Sequence, residues 1–288
     1  MRGCASSSRG KPEMRAQRAA VQWRIVEGSV AGPGHSKVGK PNQDGLGTKV
    51  LTSGATVAVV ADGAGSRERS AVGAMLAVRS AILAAETVFA AALPSDEAGW
   101  RRACGDMRSH VLDIFDRSLS AQIEHDRRSE GLGPDRIRLG DYASTLLAVV
   151  SAPPWLAYVA VGDCFLVVER RPGGTFLLSP VEEVREHGGA TVFMTSESRH
   201  EHFSTGLVQD SGIRGIALAT DGLYEALLTY RKDADDILWY TAPPDFVRYF
   251  DHFASPATGP DELTSVLASD RFAKSSGDDK TMIIMVQE

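Results

Sequence analysis

Cysteine is scarce in this sequence, and so is an excess of positive charge. The chain has 288 residues and three cysteines, at positions 4, 104 and 164. An odd number of scattered cysteines supports neither a disulfide framework nor a paired-thiolate zinc site. The 31 Lys and Arg residues are outnumbered by 37 Asp and Glu residues, which gives a net charge of -6. Such a chain is not suited to neutralising a phosphate backbone, so we expect no nucleic-acid partner.

Long apolar runs are lacking as well. No stretch approaches the roughly 18 consecutive apolar residues that cross a bilayer, and residues 1–20 are rich in Ser and Arg without an apolar centre. We therefore expect a cytoplasmic protein with no membrane partner and a disordered tail over residues 1–20. Because 43% of the chain is hydrophobic, residues 21–288 suffice for one large domain with a buried core.

The spacing of apolar residues predicts an α+β fold. Strands are predicted at residues 21–30, 46–51, 55–60, 143–150, 155–161, 165–169, 213–220 and 281–286, and helices at residues 66–93, 96–128, 235–255 and 261–269. Residues 181–212 are polar and irregular, which predicts an excursion or flap outside the core. This order favours an αββα sandwich, in which two stacked, mainly antiparallel β-sheets are flanked by helix pairs.

Acidic residues stand at the ends of several predicted strands. Asp62 and Asp221 each follow an apolar strand and precede a glycine, Asp278 and Asp279 precede the last strand, and Asp44 precedes the strand at residue 46. A carboxylate at the mouth of an apolar strand is costly to desolvate unless it meets water, a cation or a donor. If these ends converge, they form an all-oxygen site for Mg²⁺ or Mn²⁺. The alternative for each Asp-Gly pair taken alone is a simple turn.

Six short motifs in fixed order resemble a known family. They are His35 with Pro41-Asn-Gln-Asp44, Val60-Ala-Asp-Gly-Ala-Gly-Ser66, Ala143-Ser-Thr-Leu146, Val161-Gly-Asp163, Ala219-Thr-Asp-Gly-Leu223 and Asp278-Asp-Lys-Thr281. Together they resemble the metal-dependent Ser/Thr protein phosphatases of type 2C, in particular a bacterial branch. The resemblance runs over nearly the whole chain from about residue 30. It implies two central sheets flanked by helix pairs, with a two-metal site at one end of the sandwich.

The resemblance also assigns roles to individual residues. The implied catalytic carboxylates are Asp44, Asp62, Asp221 and Asp278. Asp62 matches the carboxylate that bridges both metals, Gly63 lends its carbonyl, Asp221 and Asp278 match the other ligands of the first metal, and Asp44 matches an acid around the second. Asp163 matches a residue that helps to hold a weaker third ion, and Asp279 is the alternative to Asp278 as a metal ligand.

Two positions differ from the family's usual pattern. Gln43 stands where a glutamate is usual, which removes one charge from the shell of the second metal. Gly39 stands where an arginine usually grips the phosphate, so Lys40, Lys37 or His35 would supply that contact. A lysine offers a point charge rather than a bidentate fork.

The implied activity is hydrolysis of phosphoserine and phosphothreonine on proteins, which reverses Ser/Thr kinase signalling. Two divalent cations, Mn²⁺ or Mg²⁺, would lower the pKa of a bridging water so that the resulting hydroxide attacks phosphorus. We accordingly expect phosphoprotein substrates, a cognate kinase and a monomeric enzyme. The alternative is a catalytically weak relative that binds phosphoproteins or partners as a regulatory module, and Gln43 and Gly39 keep that alternative open.

Overall fold

The computed structural model describes residues 22–133, 136–179, 191–232 and 238–287, and within them two five-stranded antiparallel sheets lie at the centre. Sheet A has the strand order β1-β12-β9-β6-β7 and sheet B the order β2-β3-β4-β5-β8. The strands of sheet A are β1 (Trp23–Val30), β6 (Phe165–Arg170), β7 (Gly174–Ser179), β9 (Ile213–Ala219) and β12 (Lys280–Gln287). The strands of sheet B are β2 (Gly45–Val50), β3 (Thr56–Ala61), β4 (Leu146–Ala152), β5 (Trp155–Val161) and β8 (Ser204–Gln209).

Helices cover the outer face of each sheet. The helices are α1 (Pro33–Lys37), α2 (Ser70–Phe89), α3 (Glu97–Glu130), α4 (Arg199–His202), α5 (Tyr224–Leu227), α6 (Val247–Phe253), α7 (Pro260–Leu267) and α8 (Asp270–Ser275). α2 packs on β2, β3 and β4, and α3 packs on α2, β5 and β8. On the other side, α7 packs on β1 and α6 on β12. The αββα sandwich predicted from the sequence is therefore confirmed.

Local sequence explains where the two long helices lie. The side chain of Asp96 accepts a hydrogen bond from the Gly99 backbone N–H at 2.7 Å and so caps the start of α3, and Gly131 ends it at a φ of +65°. Among the described residues, α2 is the one helix whose length and composition would suit a membrane span, and 56% of that span is buried in the fold. We assign α2 to the core, where it packs on sheet B beside α3.

Apolar side chains fill the space between the sheets. This central layer includes Ala58, Val60, Leu147, Val149, Leu166, Ile216, Leu218, Ile283 and Met285, all buried. Strands β3 and β4 are buried along their whole length, as their uninterrupted apolar runs predict. Burial on both faces fixes the register of these strands, because a slip of one residue would exchange their faces.

The structure differs from the sequence prediction in several elements. Residues 238–241, predicted to be helical, form strand β11 (Leu238–Thr241), which pairs with β10 (Thr229–Lys232). The predicted excursion at residues 181–212 contains strand β8, which pairs with β5, while residues 180–190 lie outside the described residues. The predicted tail, residues 1–20, also lies outside them. Strand β7 and helix α8 were not predicted.

Strand register brings the acidic residues to one end of the sandwich. In sheet B, Gly45 pairs with Ala61, so Asp44 and Asp62 lie next to each other just beyond the paired strands. In sheet A, Met282 pairs with Ala219, which places Asp221 and Asp278 at adjoining strand ends. Each sheet therefore contributes one pair of carboxylates to the same end.

Candidate metal centre

Four acidic side chains, Asp44, Asp62, Asp221 and Asp278, converge at this end. They are close enough for their charges to affect one another's pKa values. Burial raises the pKa values of Asp44, Asp62 and Asp221, and mutual repulsion raises them further. Asp44 and Asp221 both repel the charge on Asp62, and Asp278 repels the charge on Asp221. The predicted catalytic set Asp44, Asp62, Asp221 and Asp278 is thus brought together across the two sheets.

Asp62 is held by its backbone rather than by its side chain. Its N–H donates to the Thr145 hydroxyl at 2.8 Å, and its carbonyl accepts from the Thr145 N–H at 2.8 Å. Gly63, the next residue, forms a bridge with Ser144 and has the Gln43 carbonyl only 2.4 Å from where a side chain would begin. These contacts fix the direction of the Asp62 carboxylate, which hydrogen-bonds to Asp221.

Two buried threonines hold Asp44. The Thr220 hydroxyl donates to Oδ2 of Asp44 at 2.9 Å, and Thr281 also hydrogen-bonds to this carboxylate. The Thr281 N–H in turn donates to the Thr220 hydroxyl at 3.1 Å. Burial, opposed by these hydroxyls and supported by repulsion from Asp279 and Asp221, raises the pKa of Asp44 to about 8.

A buried lysine supports the loop that carries Asp278. Nζ of Lys280 donates to the carbonyls of Ser276 and Asp278 at 2.9 and 2.7 Å. Burial lowers the pKa of Lys280, while the neighbouring acids oppose that shift. Its position on β12 places one buried cation beside the acidic cluster.

Asp279 has a different environment from Asp278. Its oxygens accept hydrogen bonds from the backbone N–H groups of Gly32 and Gln43 at 2.7 and 2.6 Å. Nδ1 of His35 lies 2.9 Å from Oδ2 of Asp279, a distance typical of an ion pair, without the alignment of a hydrogen bond. One potential ligand atom from each of His35, Asp278 and Asp279 lies within 4.8 Å of the others.

The predicted phosphate contacts lie on the segment before β2. Nζ of Lys40 donates to the Gly65 carbonyl at 2.8 Å, and Nε2 of His35 lies 3.3 Å from where a Gly65 side chain would begin. Both basic groups therefore lie against the loop that follows Asp62. Lys37 is exposed and makes no hydrogen bond or ion pair within the described part of the chain. Gly39 adopts a φ of +69°.

Asp163 and Cys164 lie beside this centre. Oδ2 of Asp163 accepts a hydrogen bond from the Thr191 hydroxyl at 2.8 Å, and the charge of Asp163 adds to the rise in the pKa of Asp62. Cys164 is buried, and burial raises the pKa of its thiol well above the usual value. A buried thiol with a raised pKa is a poor nucleophile.

Among the described residues, a buried carboxylate oxygen and a buried amide oxygen at the centre have no hydrogen-bond partner. They are Oδ1 of Asp221 and Oε1 of Gln43, whose Nε2 donates to the Arg67 carbonyl at 2.9 Å. Buried oxygens without a donor are costly, and carboxylate and amide oxygens are ligands of hard divalent cations. Together with the raised pKa values of the acids, these orphaned oxygens fit a site that accommodates such cations.

Sequence reasoning did not identify the residues that hold the acids in place. Thr145, Thr220, Thr281 and Lys280 lie within strands or at their ends and resemble ordinary core positions in the sequence. Thr145 bonds to Asp62, 83 residues away, and Thr220 to Asp44, 176 residues away. The pairing of β3 with β4 brings the first pair together, and the packing of sheet A on sheet B brings the second pair together.

Comparisons with known proteins identify the family to which the chain is similar. The family described as protein phosphatase 2C matches residues 31–268. The serine/threonine-protein phosphatase 3 of Escherichia coli strain K12 is 27% identical over 279 residues, which cover 92% of this chain and 98% of that protein.

Solved structures show the same fold. A bacterial serine phosphatase superposes with a TM-score of 0.60 at 14% identity, covering 93% of this chain and 98% of the other. The catalytic domain of the serine threonine protein phosphatase PstP, crystallised with two manganese ions, gives a TM-score of 0.57 at 16% identity. That match covers 93% of this chain and 99% of the other.

Proposed function

The chain belongs to the protein phosphatase 2C family and is a protein-serine/threonine phosphatase; on that premise we propose that it is a metal-dependent enzyme that hydrolyses phosphoserine and phosphothreonine in proteins. The observation that carries the metal dependence is the convergence of Asp44, Asp62, Asp221 and Asp278 in a buried site. Four mutually repelling carboxylates are stable there when cations neutralise them.

The proposed ligands are those that the resemblance to the family implies. Asp62 would bridge two cations, Mn²⁺ or Mg²⁺, with the Gly63 carbonyl beside it. Asp221 and Asp278 would complete the first ion's protein ligands, and Asp44 would lie around the second. When bound, such ions activate water and neutralise phosphate oxygens.

Gln43 and Asp163 complete the proposed set. The amide oxygen of Gln43, which has no hydrogen-bond partner among the described residues, would supply a neutral ligand for the second ion. We propose that Asp163 helps to hold a weaker third ion, supported by its electrostatic effect on Asp62.

The chain's own groups would position the substrate. Lys40 and His35 lie against the loop after Asp62, where they can contact a phosphate oxygen. Lys37 is exposed to solvent and is the weaker candidate for this contact. The hydroxyls of Thr220 and Thr281 hold the Asp44 carboxylate in one orientation. No described cysteine is suited to nucleophilic attack, since Cys104 and Cys164 are both buried, with raised thiol pKa values.

The test is hydrolysis of a phosphothreonine peptide and of p-nitrophenyl phosphate with and without Mn²⁺. We expect turnover only with added metal, loss of turnover with a chelator, and resistance to thiol alkylation. Asp270→Asn, at an exposed carboxylate of α8, is the matched control for Asp62→Asn. Inactivation by alkylation with Cys164 modified would contradict the proposal.

In the cell, we propose a monomeric cytoplasmic enzyme that reverses the action of a cognate Ser/Thr kinase. The alternative, a catalytically weak module that binds phosphoproteins, is favoured by the neutral Gln43 and by Gly39 in the phosphate segment. A turnover assay distinguishes the enzyme from the binding module, because the binding module should bind a phosphopeptide without hydrolysing it at saturating Mn²⁺.

A further inference from the structure

The carboxylate of Asp279 hydrogen-bonds to both ends of the segment between β1 and β2. The segment comprises residues 32–43, between β1 and β2, and Asp279 is 2% exposed beneath it. One carboxylate oxygen accepts from the N–H of Gly32 at the segment's start, and the other from the N–H of Gln43 at its end. The second oxygen also lies 2.9 Å from Nδ1 of His35 in the middle. A single side chain from the other end of the chain thus contacts the segment at three points.

Little else anchors this segment. Its helix α1 buries none of its residues and has no side-chain cap. Apart from Asp279, it is held by the Gly34 N–H on the Gly277 carbonyl at 2.8 Å, by Lys40 on the Gly65 carbonyl, by Asn42 on the Ser29 hydroxyl at 2.7 Å, and by the Gln43 amide on the Arg67 carbonyl at 2.9 Å. Because α1 buries none of its residues, the position of the segment depends on these polar contacts, of which those to Asp279 are charge-assisted and buried.

The segment carries two basic residues, His35 and Lys40, that contact the loop after Asp62. His35 has one ring nitrogen against Asp279 and the other, Nε2, towards Gly65. Lys40 reaches the same residue. Gly65 lies three residues after Asp62, so the orientation of His35 and Lys40 relative to the acids depends on how the segment is held.

We infer that Asp279 is a positioning residue, which holds the 32–43 segment so that His35 and Lys40 face the substrate phosphate, and that it is not a metal ligand. This inference rests on the proposed function for its catalytic part. Asp278, whose carbonyl and loop are held by Lys280, is then the metal ligand of the pair. Two oxygens already engaged by two N–H groups and a histidine leave Asp279 little capacity for a cation.

The test compares Asp279→Asn with Asp278→Asn, and Asp270→Asn serves as the surface control. An asparagine retains one acceptor oxygen, so Asp279→Asn loses one of the two backbone hydrogen bonds while keeping the side chain's shape. We expect it to raise KM for a phosphothreonine peptide about tenfold, as the loss of one charge-assisted hydrogen bond would. Its kcat should change by less than about threefold and its Mn²⁺ affinity by less than about twofold. Asp278→Asn should weaken Mn²⁺ binding, measured calorimetrically, at least about tenfold.

A double-mutant cycle connects Asp279 to His35. If Asp279 acts through the ring, Asp279→Asn should add little to the KM of His35→Ala, because the orientation it provides is already lost. Fully additive effects on KM would overturn the inference. So would a loss of Mn²⁺ affinity in Asp279→Asn equal to that in Asp278→Asn.

One measurement is independent of turnover and distinguishes a failure of this inference from a failure of the proposed function. Amide hydrogen exchange over residues 32–43 should accelerate at least about tenfold in Asp279→Asn, with exchange in β3 and β12 unchanged, since only the segment is released. Unchanged exchange in the segment would overturn the positioning role even in an active enzyme. If exchange accelerates in Asp279→Asn but the wild-type protein shows no turnover, the positioning role is supported and the proposed function is contradicted.

Discussion

Asp62 lies in an unfavourable electrostatic environment at the metal centre. Burial raises its pKa well above the usual value, and repulsion from Asp44, Asp221 and Asp163 adds to the rise. Two hydrogen bonds with Thr145 hold its backbone beside these neighbours. A residue held in this way at a cost to the metal-free fold indicates selection for function over stability.

Asp62→Asn should therefore act in opposite directions on stability and activity. Removing one of these mutually repelling carboxylates should raise the melting temperature of the metal-free protein, and removing the proposed bridge should abolish the rise that Mn²⁺ causes. Turnover should fall further than in Asp221→Asn or Asp278→Asn, each of which affects mainly one ion. Thermal melts with and without Mn²⁺ check the first part, and a lower metal-free melting temperature would contradict it.

Gln43 offers a second prediction at the scale of one residue. The side chain is 3% exposed, and its amide oxygen has no partner. Gln43→Glu would replace a neutral ligand with a charged one, so the weaker of the two Mn²⁺ binding events should tighten about tenfold. Calorimetry measures this, with Gln43→Met as the control that removes the oxygen. Equal Mn²⁺ affinity in all three proteins would show that Gln43 does not contact the ion.

At the scale of elements, strand ends and the segments beside them build the site. Asp44 precedes β2 and Asp62 follows β3, while Asp221 follows β9 and Asp278 precedes β12. β3, β9 and β12 are almost completely buried, whereas the 32–43 segment is mostly exposed. The fold thus combines a rigid set of carboxylates with a polar segment held by individual contacts.

Lys40→Ala tests the contribution of that segment to substrate binding. Nζ of Lys40 already contacts the loop after Asp62, so its removal should raise KM more than it lowers kcat, because cations neutralise most of the phosphate charge. Steady-state kinetics on one phosphopeptide check this, with Lys37→Ala as the matched exposed lysine of the same segment. Wild-type parameters for Lys40→Ala would exclude the contact and leave His35 as the phosphate ligand from this segment.

For the whole molecule, the sequence predicted the architecture where apolar runs are long. β3, β4, β5 and β12 are buried throughout or nearly so, and their composition identifies them. β7 and β8 are partly exposed strands at sheet edges, and β11 is stabilised by pairing with β10. Local sequence does not record such pairing, which is why β7 and β8 were missed and β11 was predicted as helix.

The candidate site was also predictable from the sequence only in part. Acids beside glycines at strand ends are visible in the sequence, and the structure brings Asp44, Asp62, Asp221 and Asp278 together. The environment of Asp279 is not visible, because it depends on contacts with Gly32 and Gln43, which are 247 and 236 residues away. The contact with Gly32 follows from the pairing of β1 with β12 in sheet A, and the contact with Gln43 joins sheet A to the segment before β2 of sheet B.

The stability of the metal-free protein should depend on pH in a defined direction. An acid whose pKa is higher in the folded chain than in the unfolded chain binds more protons when folded, so it stabilises the fold at low pH. The pKa of Asp44 is raised from 3.8 to about 8, and those of Asp62 and Asp221 are also raised. The contribution is complete below about pH 4 and is lost as the pH rises through about 8.

We therefore expect the melting temperature in chelator to fall between about pH 4 and pH 8 by more in the wild type than in Asp44→Asn. Bound Mn²⁺ replaces the protons, so the metal-loaded protein should show a smaller fall. Differential scanning calorimetry across this range measures both. Parallel wild-type and Asp44→Asn curves in chelator would contradict the raised pKa of Asp44.

The account depends on two cations held by these four carboxylates, and a Mn²⁺ titration of the metal-stripped protein, followed by both calorimetry and phosphothreonine-peptide hydrolysis, tests it most directly. We predict two bound ions per chain at moderate concentration, with turnover appearing as the second binds. In Asp62→Asn, both binding events should weaken and turnover should disappear. Hydrolysis that proceeds without bound metal, or a protein that binds no Mn²⁺, would contradict the account.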